Sequence, residues 1–131
     1  MKRRDLLAGA GAVLVMMSSP LPANTQGEGS MYGLIGKMKA VSGQRDALIA
    51  LMLEDVGAMP GCLSYIVARD PADADGIWIT EVWDSAASHK ASLSLQAVQQ
   101  VIARAKPLIA GFGEHFETEP AGGHGLARAP A

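Results

Sequence analysis

The sequence predicts an α+β fold, a ferredoxin-like βαββαβ domain whose antiparallel four-stranded sheet carries its helices on one face. The hydrophobic period changes along the chain in the order strand, helix, strand, strand, helix, strand, which is typical of that fold. The chain has 131 residues, 49% hydrophobic and 18% charged. This length and composition suit one globular domain and are too small for two ordinary ones.

Residues 31–119 are predicted to form the folded domain, because the segments on either side lack the apolar content of a core. Residues 24–30 are polar and rich in glycine, and we interpret them as a linker. Residues 120–131 are rich in glycine and proline. They bury too little apolar surface to offset the entropy of ordering, which predicts a flexible tail.

Residues 1–23 are interpreted as a signal peptide of the twin-arginine type. Arg3 and Arg4 precede an apolar run of twelve residues, which is too short to span a bilayer. We therefore expect an exported protein, periplasmic or secreted, with no stable membrane association once the signal is removed. Cleavage near Ala23 and retention of the segment as an anchor are both open alternatives.

The first strand and the first helix are predicted from the change of period near residue 42. Residues 31–41 alternate imperfectly and include Gly33 and Gly36, which indicates a strand that another group approaches closely. A helix follows, with Ser42 as its N-cap and Gly57 at its end. Its apolar stripe consists of Leu48, Leu51, Met52 and Val56.

Two β-branched and aromatic runs, residues 62–69 and 77–83, are predicted to pair as a hairpin with a long acidic loop. Simple alternation places Cys62, Ser64, Ile66 and Ala68 on one side of the first run, and Leu63, Tyr65 and Val67 on the other. In the second run it places Ile77, Ile79, Glu81 and Trp83 on one side, and Trp78, Thr80 and Val82 on the other.

The second half of the domain repeats the change from helix to strand. Asp84 or Ser85 can cap a short helix, and a second helical stretch runs from Val98 to Ile109 with Pro107 near its end. Residues 112–119 form the last predicted strand. Alternation puts Phe112, Glu114 and Phe116 on one face of that strand and Gly113, His115 and Glu117 on the other.

The two faces of the sheet predict a partner. The helices cover only one face, and neither face of the strands is mostly charged. We therefore expect a homodimer in which two sheets pack face to face.

Charge and cysteine content exclude several classes of function. Lys and Arg number 11 and Asp and Glu 13, so the net charge of -2 argues against nucleic acid as a partner. The single cysteine, Cys62, cannot form an intrachain disulfide, and no Cys or His spacing suits zinc.

Two long stretches, GCLSYIVARDPADADGIWITEVWDS at 61–85 and HKASLSLQAVQQVIARAKPLIAGFGEHFETEP at 89–120, resemble the antibiotic biosynthesis monooxygenase family, also called quinol-monooxygenase-like. The resemblance covers about residues 32–119. Three short motifs carry it: Glu-x-Trp at 81–83, Ser-Leu-x-Leu at 92–95 and Pro-Leu-Ile at 107–109.

The resemblance implies a dimeric α+β barrel with a substrate pocket between each sheet and its own helices. Characterised members oxygenate electron-rich aromatic compounds, such as quinols and anthrone-like polyketides, with molecular oxygen and without flavin or metal. No cofactor is therefore expected. Other members degrade haem and use an asparagine on the first strand together with histidine and tryptophan. We disfavour haem degradation because residues 31–119 contain no asparagine.

Six residues are candidates for the site. Trp83, Glu81 and His89 are the catalytic candidates, and Tyr65, Gly36 and Ser92 are the candidates for substrate binding. Trp83 offers a flat wall and an N–H donor, Glu81 a base, and His89 a proton carrier near neutral pH. Many relatives have a histidine at the position of Ser92. Whether His89 takes the role of that histidine here is therefore open.

Each candidate also has an ordinary structural interpretation. Trp83 can be a core anchor, Tyr65 a packing residue, Gly36 part of a bulge, and His89 a helix residue that points to solvent. For Glu81 an ion pair with Lys37, Lys39 or Arg104 is the favoured interpretation. His115, on the last strand, can be an edge or interface residue.

The sequence thus predicts a cofactor-independent monooxygenase that acts on a quinol-like or polycyclic aromatic molecule. In this hypothesis Trp83→Ala abolishes turnover and leaves the dimer folded. The alternative is a non-catalytic periplasmic binding module that holds an apolar ligand in the same pocket. This alternative is favoured if the side chains of Glu81 and His89 both point outward. A structural dimer with a vestigial pocket is the third interpretation.

Overall fold

The computed structural model describes residues 30–54 and 59–127. The predicted signal peptide, residues 1–23, and most of the predicted linker lie outside these ranges. The elements of the described residues are β1 (Tyr32–Ala40), α1 (Arg45–Met52), β2 (Cys62–Arg69), β3 (Gly76–Trp83), α2 (Ala86–Ser92), α3 (Gln96–Ala105), a 3₁₀ turn (Lys106–Leu108) and β4 (Ile109–Thr118).

The four strands form one antiparallel sheet in the order β2-β3-β1-β4. Helix α1 packs against α3 and contacts β1 and β3, while α2 contacts β3. This is the predicted ferredoxin-like βαββαβ domain, and the fold class is confirmed. We call the side of the sheet under the helices the helix face and the other side the open face.

Helix α1 begins later than the sequence predicts. Its N-cap is Gln44, without a side-chain hydrogen bond, and not Ser42. Gly43 adopts φ of 81°, and the N–H of Gln44 donates to the carbonyl of Val41, so residues 41–44 form a turn before the helix. The helix ends at Met52, and the predicted end at Gly57 lies outside the described residues.

The later helices follow their predicted signals more closely. Ser85 caps α2, since its side-chain oxygen accepts the N–H of Ser88 at 3.1 Å. Helix α3 ends at Ala105, and Pro107 lies in the 3₁₀ turn that follows. The helical stretch was predicted to continue to Ile109. That was wrong: proline lacks the N–H that continues a helix, and Ile109 begins β4 instead.

Two bulges change which side chains share a face. The register pairs Cys62 with Trp83 and Ser64 with Val82, so Cys62 lies on the helix face and Ser64 on the open face. In β4, Phe112 pairs with Met38 and Phe116 pairs with Ile35, which puts the two phenylalanines on opposite faces. Both predicted face assignments were wrong at these points, because an extra residue in one strand reverses the alternation.

The helix face carries two clusters of buried apolar side chains. One contains Met38, Ala40, Leu48, Ile49, Ile77, Ile79 and Ala105, and the other contains Tyr32, Leu34 and Trp83. Both β1 and β3 interrupt their apolar line between the clusters, β1 with Gly36 and β3 with Glu81. The core is therefore divided at the level of a glycine and a carboxyl group.

The open face exposes large apolar side chains. Ile66, Thr80, Ile35 and Phe116 pair in a row across all four strands. Ile66 is 55% exposed and Phe116 is 53% exposed. At one end of the sheet, the N–H of Ala127 donates to the carbonyl of Leu63 at 2.8 Å. In the ranges described, no helix is long and apolar enough to cross a membrane.

We predict that Leu48→Ala destabilises the domain by about 2–5 kcal/mol, because Leu48 is fully buried between α1 and the sheet. Leu53→Ala is the matched control. Leu53 follows α1 and is 48% exposed, so the same substitution there should change stability by less than about 0.5 kcal/mol. Urea denaturation measures both, and equal losses would contradict the packing described.

Candidate active site

Glu81 is a carboxyl group placed on the helix face of the sheet. It lies on β3 opposite Leu34 of β1 and Tyr65 of β2. Alternation along β3 fixes this orientation, since Ile79 and Trp83 on either side are buried in the two apolar clusters. The side chain of Glu81 is only 18% exposed.

A side-chain hydrogen bond from the neighbouring tryptophan holds the Glu81 carboxyl. The indole N–H of Trp83 donates to Glu81 Oε1 at 2.8 Å, which is possible because residues two apart on a strand point to the same side. Burial raises the pKa of Glu81 to about 7, and the bond from Trp83 offsets part of that rise. Near neutral pH the group therefore exists both as acid and as carboxylate.

Helix α2 carries His89 to the same place. Its Nε2 lies 4.0 Å from Glu81 Oε1, and its side chain is 11% exposed. The imidazole meets Trp83 edge-on at 5.4 Å between ring centroids and lies 5.5 Å from the ring of Tyr32. The interpretation of His89 as a residue that points to solvent is therefore wrong.

Burial also sets the charge of His89. It lowers the pKa of the imidazole to about 4, with a smaller contribution from the charge of His115. His89 is thus neutral near pH 7, with one ring nitrogen able to accept a proton. The 4.0 Å separation from Glu81 exceeds a hydrogen bond, so both groups keep the capacity to bond a substrate atom.

The favoured ion pair of Glu81 does not form. Lys37 contacts Asp70 at 3.1 Å and Asp73 at 3.4 Å. Lys39 also binds Asp73, and Arg104 binds Glu54 at 2.8 Å. All three cations predicted as partners are engaged elsewhere, which leaves the buried carboxyl without a neutralising charge from them.

Tyr65, Gly36 and Ser92 have different relations to this centre. Tyr65 lies opposite Glu81 on β2, and burial, followed by the charge of Glu81, raises the pKa of its phenol, so it stays protonated. Gly36 lies beside His115, whose Cδ2 would be 3.6 Å from a Cβ at that position. Ser92 is buried and donates to the carbonyl of His89 at 2.6 Å, so its hydroxyl supports α2.

The comparisons with known proteins identify the family. The model of the antibiotic biosynthesis monooxygenase family matches residues 31–104, more than half of the chain. The chain belongs to that family. The relationship extends to a crystal structure from Chloroflexus aurantiacus J-10-fl, provisionally named an antibiotic biosynthesis monooxygenase. That protein is 67% identical, with a TM-score of 0.72, and the match covers 75% of this chain and 100% of the other.

More distant structures share the fold. A provisionally named antibiotic biosynthesis monooxygenase from Deinococcus radiodurans is 25% identical, with a TM-score of 0.59, over 70% of this chain and 94% of that one. A structure from Caulobacter crescentus CB15 is 18% identical, with a TM-score of 0.62, over 77% and 97%. No protein with a curated description matches this chain.

Sequence reasoning missed two residues of this candidate site, Tyr32 and Glu117. The hydroxyl of Tyr32 donates to Glu117 Oε2 at 2.6 Å, although 85 positions separate the two residues. The predicted topology already contained the signal. Strand β1 lies between β3 and β4 in a ferredoxin-like sheet, so a helix-face residue of β1 has neighbours on both.

Within the described residues, no group of three or more His, Cys, Asp and Glu side chains is arranged to hold a metal ion. Cys62 lies opposite Trp83 and is half-buried. Burial, and to a smaller extent the charge of Glu81, raises its thiol pKa to about 11, so it is not a thiolate near neutral pH.

Glu81 makes a testable contribution to the pH dependence of stability. The folded state raises the pKa of this group from 4.5 to about 7 and so binds its proton more tightly than the unfolded chain. Its stabilising contribution is complete below the unfolded value and is lost as the pH rises through 7. His89, with a lowered pKa, has the opposite dependence, so the comparison must be between variants.

We predict that the unfolding free energy of the wild type, relative to Glu81→Gln, falls by about 2 kcal/mol between about pH 5 and about pH 8. Urea denaturation at the two pH values measures this difference. Glu114→Gln on the exposed part of β4 is the control, and no comparable change is expected there. A constant difference between wild type and Glu81→Gln would show that Glu81 is not protonated in the fold.

Proposed function

We propose that this protein is a monooxygenase that oxygenates a quinol-like or polycyclic aromatic molecule without a cofactor. The observation that carries the proposal is the buried carboxyl of Glu81, whose pKa is about 7 and which lies beside a neutral imidazole. A general base is most effective when its pKa lies near the working pH. Membership of the family supports the reaction class.

The chemistry starts with removal of a proton from an acidic O–H or C–H of the substrate by Glu81. The resulting anion supplies electrons to molecular oxygen. One oxygen atom enters the product and the other leaves as water, which takes up the two hydrogens lost by the substrate. The substrate supplies every electron, so the balance needs no external reductant.

The three catalytic candidates take different roles in this proposal. Glu81 accepts the proton, and neutral His89 accepts a hydrogen bond from the substrate or from protonated Glu81 after a small movement. Trp83 is buried and its N–H is engaged by Glu81, so we assign it the role of positioning the base. Both acid–base groups point inward, which supports catalysis over simple binding.

The reaction can be tested by oxygen uptake of the purified protein with a panel of hydroquinones and anthrones, against an enzyme-free control for autoxidation. We predict that Glu81→Gln lowers kcat at least about a hundredfold, because the amide cannot accept the proton. Trp83→Phe should lower it by about tenfold, since it removes only the N–H that orients the base. Trp78→Phe is the control, because that indole donates to Asp70 on the open face.

If the wild type consumes no oxygen but binds the same compounds, the protein is a binding module and not an enzyme. Phenylalanine is preferred to alanine at position 83. Trp83→Ala removes a large buried side chain and should lower the unfolding free energy by about 3–5 kcal/mol. A loss of activity in that variant could then come from unfolding as well as from a catalytic defect.

We further propose that the protein is a homodimer joined through the open faces of two sheets. The exposed side chains of Ile66 and Phe116 lie in one row with Ile35, which a second copy can cover with the same row. The charges on this face are paired with one another. Lys37 binds Asp70, and Asp70 also accepts the indole N–H of Trp78. The face therefore presents little uncompensated charge to a partner.

The dimer proposal predicts that Ile66→Lys and Phe116→Lys each shift the molar mass in solution from dimer toward monomer, because a desolvated lysine without a partner is costly. Light scattering during size exclusion measures the mass. Leu53→Lys is the control, since Leu53 is also exposed but follows α1 on the helix side. A wild type that is monomeric at all concentrations would exclude the dimer.

Localisation is a separate proposal that rests on residues 1–23. Their paired arginines and short apolar run support export of the folded domain to the periplasm or beyond. Fusion of residues 1–30 to a reporter that functions only after folded export tests it. Replacement of Arg3 and Arg4 by lysine should abolish that export.

A further inference from the structure

Tyr32 and Glu117 form a contact that the proposed chemistry does not use. Tyr32 is the first residue of β1 and is buried, while Glu117 is exposed on the edge strand β4. Leu34 is the partner of Glu117 in the register, so Tyr32 reaches it diagonally. The 2.6 Å distance is typical of a hydroxyl bonded to a carboxylate.

The same tyrosine ring lies against His89. The two ring centroids are 5.5 Å apart with an interplanar angle of 37°, and the imidazole also lies 5.4 Å from the ring of Trp83 in an edge-on arrangement. Among the residues described, no hydrogen bond at 3.5 Å or less holds the ring nitrogens of His89. Packing between two aromatic rings is thus what directs Nε2 toward Glu81.

Both rings that pack against His89 are also held at their polar ends. Trp83 is anchored at its own N–H by Glu81, whereas the polar end of Tyr32 is anchored by Glu117. The chain of contacts therefore runs from an exposed carboxylate on β4, through Tyr32 and His89, to the buried carboxyl on β3. An exposed residue of the edge strand is linked to the site in this way.

We propose that Tyr32 and Glu117 are positioning residues of the active site, and that the hydrogen bond between them holds the His89 imidazole against Glu81. The inference deepens the proposed function, since it concerns the same site. When the bond is lost, the Tyr32 ring gains freedom and the imidazole leaves its place between the two rings. The site then opens to solvent on the side of β4.

Loss of the Tyr32–Glu117 hydrogen bond should change the pKa of the His89 imidazole. Burial is the main reason that its pKa is low, and the charge of His115 adds to the effect. The other ionisable groups beside it are Glu81 on β3, whose Oε1 lies 4.0 Å from Nε2, and Tyr32 on β1, whose ring packs against the imidazole. If the ring is released toward water, its titration midpoint should rise from about 4 toward the ordinary value of about 6.5.

The test is an NMR pH titration of the His89 ring protons in the full-length, ligand-free protein, with four variants. Tyr32→Phe removes only the hydroxyl, and Glu117→Val removes the acceptor, so both should raise the midpoint of His89. Glu117→Gln keeps an acceptor oxygen and should restore the wild-type value. Glu114→Val, on the same strand outside the site, is the matched control.

Oxygen uptake gives the second readout. Tyr32→Phe and Glu117→Val should lower kcat by about tenfold with little change in KM, as expected when a group that acts in the transition state is misplaced. An unchanged His89 midpoint in folded Tyr32→Phe would overturn the proposal. So would equal shifts in Glu117→Val and Glu117→Gln, because charge and not the hydrogen bond would then be responsible.

The titration needs no substrate, so its outcome is independent of the reaction. If the wild type consumes no oxygen but the His89 midpoint moves as expected, the proposed function fails and the positioning role stands. If oxygen uptake depends on Glu81 but the midpoint does not move, the positioning role fails alone.

Discussion

The burial of one carboxyl group is the constraint on which this site depends. Glu81 occupies a helix-face position of β3 where the neighbours along the strand are core residues. A carboxylate there loses its hydration, and the hydrogen bond from the N–H of Trp83 compensates for only part of the lost hydration energy. The fold therefore shifts the protonation equilibrium of Glu81 toward the acid form. Burial of the carboxylate lowers stability, but the raised pKa makes Glu81 a base that works near neutral pH.

The rest of the helix face is arranged around this group. Gly36 on the adjacent strand omits a side chain at nearly the same level, so the apolar core is split into two clusters. Helix α2, which Ser85 caps, carries His89 over the gap. The site thus depends on three features together: the Ser85 cap of α2, Gly36 and the buried Glu81. None of the three alone indicates a reaction.

The fold could be predicted because it depends on period and order. Its finer details could not, because single inserted residues decide them. The bulges at Cys62 and within β4 reverse the faces of Cys62 and Phe112, and no composition signal marks them. Glu81, Trp83 and His89, which the structure brings together, could be singled out beforehand: Glu81 and Trp83 by the Glu-x-Trp motif of the resemblance, and His89 by the ordinary pKa of its side chain. The Tyr32–Glu117 contact depends on strands distant in sequence, and the ion pair expected for Glu81 was wrong because aspartates of the hairpin loop and Glu54 bind the cations.

The most direct test of the central claim is the ionisation of Glu81, measured from its carboxyl ¹³C chemical shift against pH, with Glu81→Gln to assign the signal. Burial beside Trp83 and a neutral His89 predicts a midpoint near 7. A midpoint near the ordinary value of 4.5 would mean that the carboxylate is solvated. In that case Glu81 is a surface acid, and the site lacks the base on which the proposed oxygenation depends.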